Sequence, residues 1–232
     1  MPFVCGWDTL PFKMNNLIIT SDGSHTLFNP EIGEHYHSTF GAVSESEHIF
    51  IRAGLDAIPS KIKHINLLEI GLGTGLNALL AMRWAEKHKR EINYFAVEAF
   101  PLRKEVLGNL NYAEILEMNP ELFSAIHMVG SKKGRLSKYF SFAFQHDKLQ
   151  DFNLQTETYD LVFFDAFSPD VQPEMWTEDC FMKIAQSMKR GGVLTTYSCK
   201  GIVKRVLKSA GFQIEKLPGP PGKREFLRAV KG

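Results

Sequence analysis

The chain has 232 residues, with 27 Lys/Arg against 26 Asp/Glu for a net charge of +1, and is 44% hydrophobic and 23% charged. These values suit a globular protein with one main α/β domain, and no apolar run approaches the roughly 20 residues that span a bilayer, which argues against membrane insertion. Met1 to Leu10 lack a basic stretch followed by a long apolar run, so no secretory signal is expected and the expected compartment is the cytoplasm. Cys5, Cys180 and Cys199 are odd in number, widely spaced and in no C-x-x-C pair, which argues against a disulfide framework or structural zinc.

In chain order, Ile18 to His37 alternate loosely around the turn signals Asp22-Gly23 and Asn29-Pro30, and predict short antiparallel strands. Residues 1–45 are therefore expected to form an N-terminal β lobe packed on a main domain of residues 46–232. His35 and His37 share one side of a strand, but no third ligand is evident and no metal is expected. Ser44 to Glu47 predict a helix start with Ser44 as cap, the helix running from about Ser46 to Ala57.

Leu67 to Ile70 form an apolar run that ends in Gly71-Leu72-Gly73-Thr74-Gly75 and passes into the helically spaced Leu76 to Leu80, a strand, tight turn and helix. Alternate glycines permit positive φ and close approach to a ligand, and the helix behind presents free N–H groups. A dinucleotide site spaces its glycines G-x-G-x-x-G; G-x-G-x-G after the acidic Glu69 favours S-adenosylmethionine. The alternative is a sharp reversal alone.

Ile92 to Glu98 read as a second strand ending on an acid, 27 positions after Gly71. In a doubly wound sheet the strand C-termini line the ligand crevice, so Glu98 is placed to accept both ribose hydroxyls; the alternative is a cap for the next segment. Pro101 to Asn111 and Tyr112 to Met118 have helical spacing, residues 131–134 mark a turn, and Tyr139 to Phe144 are a third strand leading to Asp147. That acid suits the adenine amine or the cap of a following helix.

Tyr159 to Asp165 form a fourth strand delivering Asp165 into a proline-flanked loop with Phe167, Pro169 and Trp176, whose aromatics either face a ligand or cover the core. Asp165 is the acid assigned to chemistry. Helix Thr177 to about Met188 is expected to end at Gly191-Gly192, before a fifth strand over Val193 to Tyr197. Helix Ile202 to Ser209 and an antiparallel pair, Phe212 to Leu217 and Glu225 to Val230, close the chain at a sheet edge. From Lys200 onward there are nine Lys/Arg against two Glu, net +7, leaving −6 for the rest, so this end is either a solvated face or a polyanion surface.

Glu69-x-Gly71-x-Gly73-x-Gly75, Glu98 and the terminal hairpin together resemble class I S-adenosylmethionine-dependent methyltransferases, which implies a doubly wound, Rossmann-like seven-stranded sheet. More narrowly, Asp22-Gly23-Ser24, Tyr36-His37-Ser38, Glu47-His48-Ile49-Phe50, the glycine turn through Asn77, Phe164 to Pro169, Pro173 to Trp176 and Pro221 to Glu225 are similar to the methyltransferase half of the MnmC enzymes. These bifunctional bacterial enzymes complete 5-methylaminomethyl-2-thiouridine at the tRNA wobble position, and the resemblance runs from about Ser21 to the C-terminus. It implies a cytoplasmic tRNA methyltransferase acting on the amine of 5-aminomethyl-(2-thio)uridine in the anticodon region.

It further implies a cofactor site of Glu69, Gly71, Gly73, Gly75, Asn77, Glu98, Asp147 and Asp165, with Asp165 also catalytic. Phe167, Pro169, Trp176, Lys223 and Arg224 would meet the substrate. The chain ends before the FAD-dependent oxidoreductase domain of those enzymes, so a standalone methyltransferase is expected, with another protein supplying the aminomethyl intermediate. Methylation of a small-molecule or protein amine, and a cofactor-binding module without catalysis, are the alternatives.

Overall fold

The computed structural model describes residues 16–130 and 132–232. Met1 to Leu10, Cys5 and Ser131 lie outside these. A small antiparallel sheet comes first, built from β1 (Leu17–Ile19), β2 (His25–Asn29) and β3 (Glu34–His35) in that order. Next come α1 (Ala42–Ser46), a π-helical turn over Glu47–Arg52 and a 3-10 turn at Leu55–Ala57. The expected helix from Ser46 thus starts four residues earlier and does not stay α-helical. Its first residue follows Gly41 (φ 143°), and Ser44 is no cap: its N–H and hydroxyl both donate to Asp22 Oδ2, each at 2.8 Å.

The main sheet contains β4 (His64–Ile70), β5 (Glu91–Glu98), β6 (Gly134–Ser137), β7 (Phe140–His146), β8 (Tyr159–Phe164), β9 (Met188–Thr196), β10 (Phe212–Pro218) and β11 (Glu225–Lys231), in the order β10-β11-β9-β8-β4-β5-β7-β6. The five strands from β9 to β7 are parallel, and β10, β11 and β6 are antiparallel additions. The doubly wound expectation holds, with the terminal hairpin at one edge and the short β6 as an eighth strand at the other.

The helices are α2 (Leu76–His88), α3 (Lys104–Leu107), α4 (Tyr112–Ile115), α5 (Pro120–Met128), α6 (Glu178–Ser187) and α7 (Gly201–Ser209). Alternation along the strands divides the core in two. Ile65, Leu67, Leu161 and Phe163 face the layer of α2 and α5, while Leu68, Ile70, Val162 and Phe164 face α6 and α7. Both faces are covered, which is why β4 and β8 read as continuous apolar runs.

Four further elements depart from expectation. The segments after Pro101 shrink to the four-residue α3 and α4, and α5 was not foreseen; Pro120 sits at its first position and Asn119 accepts from the Glu121 N–H as its cap, at 2.9 Å. Gly191-Gly192 does not end α6. That helix stops at Ser187, whose hydroxyl donates to the Ile184 carbonyl at 2.7 Å, and both glycines lie inside β9 where its register against β8 shifts.

Candidate active site

β4 and β8 are neighbours whose chain connections run to opposite sides of the sheet, and a doubly wound sheet opens a crevice at such a point. Their C-terminal ends carry Gly71 and Asp165, joined by the Asp165 N–H donating to the Ile70 carbonyl at 2.9 Å. A cleft of about 1530 Å3 lies above them. Of the residues expected at the site, Gly71, Gly73, Glu98, Asp147, Asp165, Phe167 and Lys223 line it.

The glycine turn is built as expected, with φ of 86°, 50° and 77° at Gly71, Gly73 and Gly75. What faces the missing side chains is protein, however. A Cβ at Gly71 would stand 2.6 Å from the Asp165 carbonyl oxygen, at Gly73 3.1 Å from the Tyr36 ring, and at Gly75 2.6 Å from His127 Nε2. The glycines therefore let three other segments close on the turn. Glu98 holds it from the side: Oε2 accepts the Gly73 N–H at 3.0 Å and Oε1 the Phe100 N–H at 2.8 Å. Asp147 directly follows β7 beside it, and the helix it was offered to cap is absent; only a turn follows, with Lys183 Nζ donating to the Leu149, Gln150 and Phe152 carbonyls.

Six expected residues stand back from the cleft lining. Glu69 is fully buried beneath it, Asn77 is turned inward from α2, and Gly75 meets His127. Pro169 is half-buried and does not line the cleft. Trp176 is 2% exposed: its Nε1–H donates to the Phe167 carbonyl at 2.7 Å and its ring packs on Phe164, Phe181 and Tyr197, so it supports the loop from below. Arg224 is exposed and, unlike its neighbour Lys223, does not reach the cleft.

Asp165 is ringed by charges from several elements. Burial, then the Glu45 carboxylate, push its pKa up to about 7, against the pull of the Asn77 amide and the Lys223 ammonium. Asn77 Nδ2 donates to Asp165 Oδ2 at 2.8 Å. Lys223 Nζ is 3.2 Å from Glu45 Oε1 and 4.6 Å from the centre of the Tyr197 ring, and the Tyr197 hydroxyl donates to the Ala166 carbonyl at 2.9 Å. Glu45 and Tyr197 were not singled out in the sequence. The signal for Glu45 was a break in amphipathic pattern, since Glu45 and Ser46 are both buried in α1.

The small sheet closes the cleft from above. Every residue from Glu31 to Phe40 lines it. Glu34 accepts from the Ser168 N–H at 3.1 Å and from its hydroxyl, and Tyr36 sets an edge against the Phe167 ring at 5.0 Å. His37 is buried between Thr26 and Thr74, and desolvation lowers its pKa to about 4; His35 lies against the Phe28 ring. Among the described residues no group of three or more His, Cys, Asp or Glu is arranged to hold a metal.

Residues 145–232 match the family described as S-adenosyl-L-methionine-dependent methyltransferase. That match spans the last 88 of the chain's 232 residues, Asp165 and Lys223 among them. The methyltransferase is 30% identical to the tRNA 5-methylaminomethyl-2-thiouridine biosynthesis bifunctional protein MnmC of Aromatoleum aromaticum over 94% of this chain and 36% of that protein. It is 29% identical to the protein of the same name from Delftia acidovorans, over 88% of this chain and 33% of the relative. The chain thus spans about a third of the length of the curated relatives it matches. Among solved structures, MNMC2 from Aquifex aeolicus superposes with a TM-score of 0.73 at 28% identity, covering 92% of this chain and 69% of that one.

S-adenosylmethionine is the cofactor of the family, and the donor set of the cleft fits it. Glu98, at the end of β5, and Asp147, directly after the adjacent β7, present carboxylates that can accept from hydroxyl or amine donors, and each Glu98 oxygen keeps a lone pair beyond the backbone N–H it holds. No helix among the described residues is long and apolar enough to cross a membrane.

Proposed function

We propose that this methyltransferase modifies the exocyclic amine of 5-aminomethyl-(2-thio)uridine at the wobble position of tRNA, in the cytoplasm, on an intermediate supplied by another activity. The observation that carries the reading is a carboxyl, Asp165, at the floor of the cleft and held at a pKa of about 7. The bound cofactor supplies an electrophilic methyl on sulfonium. Glu98 would hold its ribose end and Asp147 its adenine end, with Gly71 and Gly73 of the glycine turn lining the same cleft. Phe167 and Lys223 border the substrate side.

The substrate amine arrives as an alkylammonium with a pKa near 10 and must lose a proton before its lone pair can bond to carbon. An ordinary carboxylate would accept that proton at a cost of about 8 kcal/mol, whereas a group near 7 lowers the cost to about 4 kcal/mol. Asp165 takes the proton, which frees the nitrogen lone pair for the methyl that the cofactor would supply, and holding the amine in place beside it would supply much of the rate. Phe167, with Tyr36 against it, excludes water from the reacting centre.

Incubation of the protein with S-adenosylmethionine and hypomodified tRNA, followed by nucleoside mass spectrometry, tests this: one methyl should appear on the aminomethyl-uridine. An acid-rich lining, including Glu31, Glu34, Glu45, Glu98, Asp147 and Asp165, favours a second reading, a small cationic amine as substrate. Methylation of free polyamines with none on tRNA would select it.

A further inference from the structure

Asn77 lies in the first turn of α2 and points away from the cleft, with 3% of its surface exposed. Its Nδ2 is 2.9 Å from Glu69 Oε1 and 2.8 Å from Asp165 Oδ2. An amide nitrogen carries two hydrogens, so each carboxyl receives one and the group has no other donor to give. Of the three side chains only Asp165 reaches the cleft, and its Oδ1 receives no hydrogen bond from the described residues. The arrangement has the form of a clamp: one carboxyl deep in the core, an amide, and a second carboxyl whose free oxygen is left for a ligand.

We propose that Asn77 is the positioning residue of Asp165, tying Oδ2 back to the buried Glu69 so that Oδ1 is the atom that meets the substrate amine. This rests on the reading of Asp165 as the proton acceptor. Glu69 suits an anchor, because complete burial drives its pKa well above the carboxylate range and favours its uncharged form beside Asp165. Were both carboxyls ionised with one amide between them, their repulsion in a low-dielectric site would oppose the geometry. The Asn77 donor favours the ionised form of Asp165, against burial and Glu45.

The other groups facing Asp165 are Glu45 from α1, Lys223 before β11, Tyr197 after β9 and Tyr94 of β5. None of these is itself replaced when Asn77 is changed. Asn77→Leu removes the donor at nearly constant volume, and Asn77→Ser keeps a single shorter one. The experiment follows kcat/KM for hypomodified tRNA against pH, with cofactor affinity measured in parallel by calorimetry as the control for folding. The titration of the substrate amine is common to all variants, so only differences between profiles count.

In Asn77→Leu the acid limb should move up by about half a pH unit or more and kcat near pH 7 should fall about tenfold or more, with partial recovery at higher pH. Asn77→Ser should lie between Asn77→Leu and the wild type. Cofactor affinity should be unchanged within about twofold, since Asn77 does not line the cleft. A limb that stays in place, with turnover either unchanged or scaled down equally at every pH, overturns the positioning role alone. A wild-type limb that survives in Asp165→Asn overturns the reading of Asp165, and the clamp with it.

Discussion

Asp165 owes its raised pKa first to burial and then to Glu45, so its charge burdens the folded state. With a folded pKa of about 7 above the ordinary 3.8, the native protein holds this proton more tightly than the unfolded chain does. The stabilisation is full below about pH 4 and is lost as pH rises through about 7. Asp165→Asn should therefore abolish methyl transfer yet stabilise the protein at pH 8 by on the order of 2 kcal/mol, with little change at pH 4, as read from urea denaturation at both values. Equal or lower stability at pH 8 would show that the carboxylate is better solvated than its surroundings suggest. At Gly75, a Cβ meets His127 Nε2 at 2.6 Å with φ of 77°, so Gly75→Ala should cost about 1–3 kcal/mol. A midpoint unchanged from wild type would mean that His127 moves freely. Glycine spacing was legible in the sequence, but what each glycine makes room for was not, because Asp165, Tyr36 and His127 are distant in the chain.

At the scale of elements, α1 has no side-chain cap on its own N-terminal residue, and the turn between β1 and β2 supplies one. Asp22 accepts from the Ser44 N–H and hydroxyl, and the Ser24 hydroxyl receives the Ala42 N–H at 3.1 Å. The hydrogen bonds on Asp22 lower its pKa to about 2 against the cost of partial burial, so its contribution is present above pH 4 and is lost as pH falls towards 2. Asp22→Ala should destabilise by about 1 kcal/mol at pH 7, measured by thermal melting, with the difference vanishing near pH 2. Elements whose signal is local were readable from composition: the parallel strands by their apolar runs, α6 by the Thr177 cap, and the terminal hairpin by its proline-glycine turn. Those set by neighbours were not. The π-helical turn over Glu47–Arg52 packs against α2, and the glycine pair inside β9 answers a register shift against β8, neither of which has a local signature.

For the whole molecule, the net +7 of the C-terminal end is less available than counting suggests. Lys200 pairs with Asp170, Lys216 with Glu225 at 3.1 Å, Lys223 with Glu45 at 3.2 Å and Arg228 with Glu215 at 2.7 Å. Lys204, Arg205 and Lys208 of α7 enter no ion pair among the described residues and share one helix flank. If tRNA is the substrate, changing these three to Gln should weaken its binding and reduce the salt slope by roughly one for each phosphate that is no longer neutralised, while Lys223→Gln should alter the pH profile and leave that slope in place. Affinity titrations at several salt concentrations decide it; a slope that falls with Lys223 and not with α7 would move the phosphate-binding surface to the cleft mouth.

The roof formed by residues 31–40 ties ligand binding to the stability of the small lobe. β1 to β3 form a separate three-stranded sheet tied to the loop after Asp165 through Glu34 and Ser168. If this lobe opens by a subglobal fluctuation, one wall of the cleft goes with it, and apparent affinity falls by the fraction of molecules that are open. Bound cofactor then stabilises the lobe by mass action, about 2.7 kcal/mol at a hundredfold excess over Kd. Amide hydrogen exchange at Tyr36, whose N–H donates to the Leu27 carbonyl at 2.9 Å, should slow in step with cofactor concentration although that hydrogen bond lies entirely within the lobe.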